Sequence, residues 1–220
     1  AYGQTTLGVW DLGAFFGLVC GDKVFGLATA GSLGPIGVRG EGTYTLPGEM
    51  ADETSPFWRG TVGADWRPGM KTTLSGEVYV QSLGQTDPGK YLSAYDNPRY
   101  TRGELWLAGR TYAAISASQE IAPTVYGSLA LIGNLEDPSM MVAPALSWSV
   151  SGNADLSISG FVGVGERPDE VLPSTLLSGL DANMSEDEAA TFLDEELGSK
   201  VNSEFGLIPA AAVVSLRAYF

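Results

Sequence analysis

Eight charged side chains, Arg39, Glu41, Arg59, Asp65, Lys71, Glu77, Arg110 and Arg217, fall in short segments of alternating apolar or glycine residues and polar ones. Successive side chains of an extended chain point to opposite faces, so such a pattern gathers charge on one face of each strand. Charges of both signs on one face either pair across strands or stay hydrated, because an unpaired buried charge is costly. The bland expectation is a set of cross-strand pairs filling an interior. The functional one is a wet passage whose arginines favour anions or polar solutes, since charged rings at a constriction set selectivity.

Other chemistries are missing. The 220 residues include no histidine, so Ser–His acyl transfer cannot be built within the chain. Cys20 is the only cysteine; it has no histidine to activate it, no second thiol for a disulfide, and no companions for the usual zinc ligand sets. Asp187, Glu188, Asp194, Glu195 and Glu196 are dense enough to suggest hydrolysis or calcium binding. No Asp-x-Asp-x-Asp-Gly loop orders them, and hydrated loop charges are the better reading. Gly163-Val164-Gly165 has no following helix with phosphate-loop spacing and reads as strand glycine. No catalytic residue, metal or cofactor is expected, and the chain is not read as an enzyme. The net charge of −14 also argues against nucleic acid as a partner.

The elements that carry these charges read as strands almost throughout. Phe57 to Arg67 alternates most clearly, with Trp58, Gly60, Val62, Ala64 and Trp66 on one face and Arg59, Thr61, Gly63 and Asp65 on the other. Alternation alone does not separate a soluble β-sandwich from a strand in lipid. Trp58 and Trp66, however, lie on one face at a spacing of roughly 20 Å along a tilted strand, close to the ~25 Å between the aromatic girdles of a membrane barrel. Trp148 is expected to join that lipid-facing set. Ile36 to Leu46, Lys71 to Gln81, Arg110 to Ile121, Val125 to Asn134, Met141 to Ser151 and Asp155 to Gly165 repeat the pattern, the last four as two tight hairpins. The small, mildly polar face of Met141 to Ser151 suggests a tightly filled interior there.

With Thr5 to Val19, Lys23 to Gly31 and the final segment, the expectation is ten antiparallel strands in one all-β transmembrane up-and-down barrel spanning 1–220. An even count places both ends of a bacterial barrel on the periplasmic side. Connections are short near 33–35, 68–70, 122–124 and 152–154 and generally longer at 47–56, 84–106 and 166–208, with brief exceptions near 20–22 and 135–139. The 85–106 stretch reads as a loop with a helical turn. Residues 166 to 209 hold 11 carboxylates against Arg167 and Lys200, which suits a solvated extracellular loop. Within it, Ser185 and Glu188 have capping-box spacing, and Ala189, Phe192, Leu193 and Leu197 share one side of a short helix ending at Gly198. The helix is expected either to rest on neighbouring loops or to fold over the mouth.

The longest apolar run, around Ala210 to Leu216, falls far short of the ~18 to 20 residues of a spanning helix. It places Ala212, Val214, Leu216, Ala218 and Phe220 on one face, closed by a terminal aromatic. This resembles the assembly signal of Gram-negative outer-membrane β-barrels, in which a terminal Phe and alternate apolar residues form the last strand. Ala218 departs from the pattern, which often has a larger residue two positions before the end. The run of hairpins from Val125 onward, with Asn134-Leu135-Glu136-Asp137 and Ser203-Glu204-Phe205-Gly206, is similar to the C-terminal part of porin-like barrels. The resemblance implies a bacterial outer-membrane location and recognition by the barrel assembly machinery. It also implies contact with outer-membrane lipids and lipopolysaccharide, and is compatible with a homo-oligomer or larger membrane complex. Porin-like passive diffusion of small polar or anionic solutes is the leading expectation. The rival is a plugged structural barrel presenting its loops to a partner protein or lipopolysaccharide. The chain is read as mature or truncated, either a complete small barrel or part of a larger one.

Overall fold

The computed structural model describes residues 1–48, 55–169 and 184–219. They form a single antiparallel meander of eleven strands, each hydrogen-bonded to its sequence neighbours. The strands are β1 (Tyr2–Leu7), β2 (Trp10–Val19), β3 (Asp22–Leu33), β4 (Ile36–Leu46), β5 (Phe57–Trp66) and β6 (Thr72–Gln81). They continue as β7 (Thr111–Ala122), β8 (Val125–Asn134), β9 (Ser139–Ser151), β10 (Ala154–Val164) and β11 (Ala211–Ala218).

The count corrects the expected ten. Thr5 to Val19 is two strands, because the chain reverses at Gly8-Val9, where Gly8 adopts φ 66. The apolar residues Leu7, Val9 and Trp10 run straight through the reversal, so no polar break marks it. With an odd number of strands, β1 and β11 run in the same direction, and Ala1 and Ala218 lie at opposite ends of the sheet. The sheet is not closed into a barrel: β1 pairs with β2 alone and β11 with β10 alone among the described strands.

Connection lengths segregate by end. Residues 8–9, 34–35, 67–71, 123–124 and 152–153 make five short turns at one end. At the other lie the long connections 47–56, 82–110 and 165–210, with brief ones at 20–21 and 135–138. Cys20 and Gly21, at φ 51 and 90, make the tight two-residue turn there.

The 82–110 connection carries two one-turn helices, α1 (Tyr91–Ala94) and α2 (Pro98–Thr101), and the last connection carries α3 (Glu186–Gly198). Both bonds of the capping box at α3 form, Ser185 accepting from the Glu188 amide and Glu188 from the Ser185 amide. No described helix is long and apolar enough to cross a membrane.

The two faces of the sheet differ in an instructive way. On β5 the apolar residues Trp58, Val62 and Trp66 are 49%, 64% and 46% exposed, while Phe57 and Gly63 on the opposite face are buried and Arg59 and Asp65 partly so. A water-soluble sandwich would bury the tryptophan face against a second sheet; among the described residues nothing covers it. Among the described residues the buried apolar cluster lies instead at the long-loop end, where Tyr91, Ala94, Ala108 and Val201 pack together.

Candidate functional site

The charged inner wall is built by β4, β5 and β6. Registers Arg39↔Gly63, Glu41↔Thr61 and Thr43↔Arg59 on β4 and β5, with Gly63↔Glu77 and Asp65↔Ser75 on β5 and β6, bring alternate polar residues onto one surface. Arg39 binds two carboxylates there: Asp65 and, at 3.1 Å, Glu77. Arg59 donates to Thr43 Oγ1 at 3.3 Å and to the Glu104 carbonyl. Among the described residues Glu41 has no hydrogen-bond or ion-pair partner. A cavity of about 500 Å³ opens on this wall, lined by Glu41, Arg59, Glu77, Tyr79 and, from the 82–110 connection, Trp106. A second, of about 540 Å³, lies against Tyr2, Asp11, Arg39, Glu41 and Glu77. Glu41 and Glu77 border both.

The remaining charged residues of the alternation lie apart from this cluster. Lys71, just before β6, pairs with Glu120 at 3.0 Å near the short turns. Arg110, exposed before β7, donates to the Gly84 carbonyl at the long-loop end. Arg217 stands opposite Asp155 on β10 and β11. From β7 to β11 the inner face carries mostly small residues, among them Ala114, Ser116, Ser128, Ala143 and Ser157, so the charge is concentrated on one half of the sheet.

Over the long-loop end lies a cap whose polar contacts the charged alternation alone did not disclose. Arg99 of α2 reaches Asp22 at the head of β3 at 2.6 Å and Glu104 at 2.6 Å, with its guanidinium over the Phe57 ring at 4.6 Å. Across the same end, buried Glu204 accepts from the Tyr112 hydroxyl, from Asn134 Nδ2 at 2.8 Å and from the Ala108 amide at 2.7 Å. Asp137 accepts from Asn134 Nδ2 at 3.0 Å and from the Glu204 amide at 3.1 Å. The two short segments around Asn134 and around Glu204 are thus the two halves of one buried network. The 82–110 connection is fastened to β3 and β5 on one side and to β7 and β8 on the other, the last directly by the Tyr91–Asn134 bond, and one cavity takes its lining from Phe15 of β2 and Ile132 of β8, so this face of the sheet is concave. Burial holds the hydroxyls of Tyr91, Tyr95 and Tyr100 well above the usual tyrosine range. The charge of nearby Glu204 adds to this at all three, and at Tyr91 the Asp137 carboxylate does too.

The outer face holds a second constellation. Phe16↔Phe25, Phe25↔Tyr44 and Tyr44↔Trp58 are direct cross-strand pairs, so four aromatics from β2 to β5 form one row toward the long-loop end. All are between 43% and 49% exposed. Trp66 and Trp148 lie on the same face toward the short turns. Alternation had marked Trp58, Trp66 and Trp148; the row was hidden because it exists only once register is set. Val214 and Leu216 face outward beside Ile158 and Leu156, on the Trp148 side of the sheet, while Phe220 lies outside the described residues. No group of three or more metal-binding side chains occurs among the described residues. Comparison with protein-family models, curated proteins and solved structures gives no match to this chain.

Proposed function

We propose that this chain builds the wall of a porin-like β-barrel of the bacterial outer membrane, through which small polar solutes diffuse passively. The inverted exposure of the sheet carries the reading: the Phe16–Phe25–Tyr44–Trp58 row, Val62 and Trp66 face outward, while Arg39, Asp65 and Glu77 pair on the concave face. A lipid-facing band flanked by aromatics with a polar interior is the pattern of such barrels. Short turns at one end and long connections at the other fit periplasmic and extracellular sides.

Closure has a geometric condition. Because β1 and β11 run in the same direction, they meet either in a parallel seam or with an odd number of further strands between them. Planar-bilayer recording of the refolded chain tests the passage. Stable unitary steps support it, and folded, inserted protein that never conducts contradicts it.

The alternative, a plugged barrel that presents its loops to a partner or to lipopolysaccharide, is favoured by one observation. The 82–110 connection is pinned across the inner mouth by the buried Arg99 and Glu204 networks. Silent but inserted protein would support it.

A further inference from the structure

The sign of the passage follows from which charges on the wall are already satisfied. Arginines at 39, 59 and 110 suggest an anion path when read as sequence. In the folded wall Arg39 is bound by two carboxylates and so leaves a net negative charge, Lys71 is matched by Glu120, and Arg217, which makes no ion pair among the described residues, stands across from Asp155 on the far half of the sheet and borders neither of the two cavities. Arg110 lies outside the wall, against the Gly84 carbonyl. On the β4–β6 wall that the cavities border, Arg59 is the cation bound only to neutral oxygens. Against it stand Asp11, which accepts only from the Thr6 hydroxyl at 2.6 Å, and Glu41, which has no partner among the described residues.

Position singles out Glu41. It lies midway along β4 and borders both inner cavities, so a solute moving from one to the other passes its carboxylate. Glu77 shares that position but is committed to Arg39. Trp106, which is 79% exposed, lines the first cavity from the 82–110 connection and offers a ring face of the kind that attracts cations.

Resting on the passage reading above, we propose that the pore selects small cations and that Glu41 is the residue that sets the preference. Fixed carboxylates in a narrow wet passage raise the local cation concentration and repel anions.

The test is the reversal potential of the refolded chain in a planar bilayer across a tenfold KCl gradient, for the wild type, Glu41→Gln and Arg59→Gln. The expected result is potassium permeability above chloride in the wild type, an about twofold fall in the ratio in Glu41→Gln, and a rise in Arg59→Gln, by the Coulomb energy of one charge several ångströms away in water. Chloride preference in the wild type, or a ratio unmoved in Glu41→Gln, overturns the proposal while leaving passage intact. If Glu41→Gln does not fold, Arg59→Gln still decides, since an unchanged or lowered ratio there contradicts the sign. Inserted protein that never conducts overturns both the passage and its selectivity.

Discussion

Arg99 on the loop helix α2 and Asp22 at the head of β3 form an ion pair of 2.6 Å with both side chains excluded from solvent. Removing one partner of such a pair strands the other, which costs more than the pair itself contributes. Arg99→Met should therefore lower the unfolding free energy by about 3–5 kcal/mol. Arg99→Lys should restore little, because an ammonium cannot reach two carboxylates with a fixed planar fork. Denaturant unfolding in detergent micelles, followed by tryptophan fluorescence, measures both.

Glu204 ties the last connection to the strand ends by accepting from Tyr112, Asn134 and the Ala108 amide. Glu204→Ala leaves these buried donors without an acceptor and should destabilise the cap by about 3 kcal/mol. Tyr112→Phe removes one of these donors and also the hydroxyl that accepts from the buried Gly109 amide, and should cost about 1–3 kcal/mol. Limited proteolysis should show faster cleavage within 82–110 in Glu204→Ala, with the sheet still resistant.

The cap should also report on alkaline pH. The folded-state pKa values of Tyr91, Tyr95 and Tyr100 lie above the ordinary value of 10.0. A raised folded pKa means that the stabilisation is fully present below the ordinary value and is lost as pH rises through the folded one. Absorbance at 295 nm should therefore show these tyrosines ionising late and together with opening of the cap. In Glu204→Gln they should titrate earlier, because a negative neighbour has been removed.

Cys20 occupies the left-handed region at φ 51, followed by Gly21 at φ 90. Asn at the first position of such a two-residue turn is preferred over a side chain that cannot bond its own backbone. Cys20→Asn should relieve part of the left-handed strain, raising stability by about 1 kcal/mol at most, and the thermal midpoint should rise accordingly. The exposed thiol makes the substitution convenient for every other experiment.

Strand identity was legible where proline-containing turns bound the alternation, as from Ile36 to Leu46 between Gly34-Pro35 and Pro47-Gly48 and from Val125 to Asn134 after Pro123-Thr124, whose limits agree with β4 and β8. It failed at Gly8-Val9, where the reversal carries no polar residue. Helix α3 was legible because Ser185 and Glu188 cap it through local bonds. The inner wall was half legible: alternation gives the face of Arg39 and Asp65, but the double neutralisation of Arg39 depends on three strands being in register. The cap was not, because Tyr112 and Glu204 stand 92 positions apart and meet only through the fold.

The central claim is that the aromatic outer face lies in lipid. Trp106→Phe removes the loop tryptophan and leaves emission to Trp10, Trp58, Trp66 and Trp148, three of which are exposed on that face. Refolded into bilayers, this variant should emit at short wavelength, lose intensity when the acyl chains are brominated, and resist aqueous iodide. Quenching by iodide with no effect of bromine would place those tryptophans in water and contradict the membrane barrel.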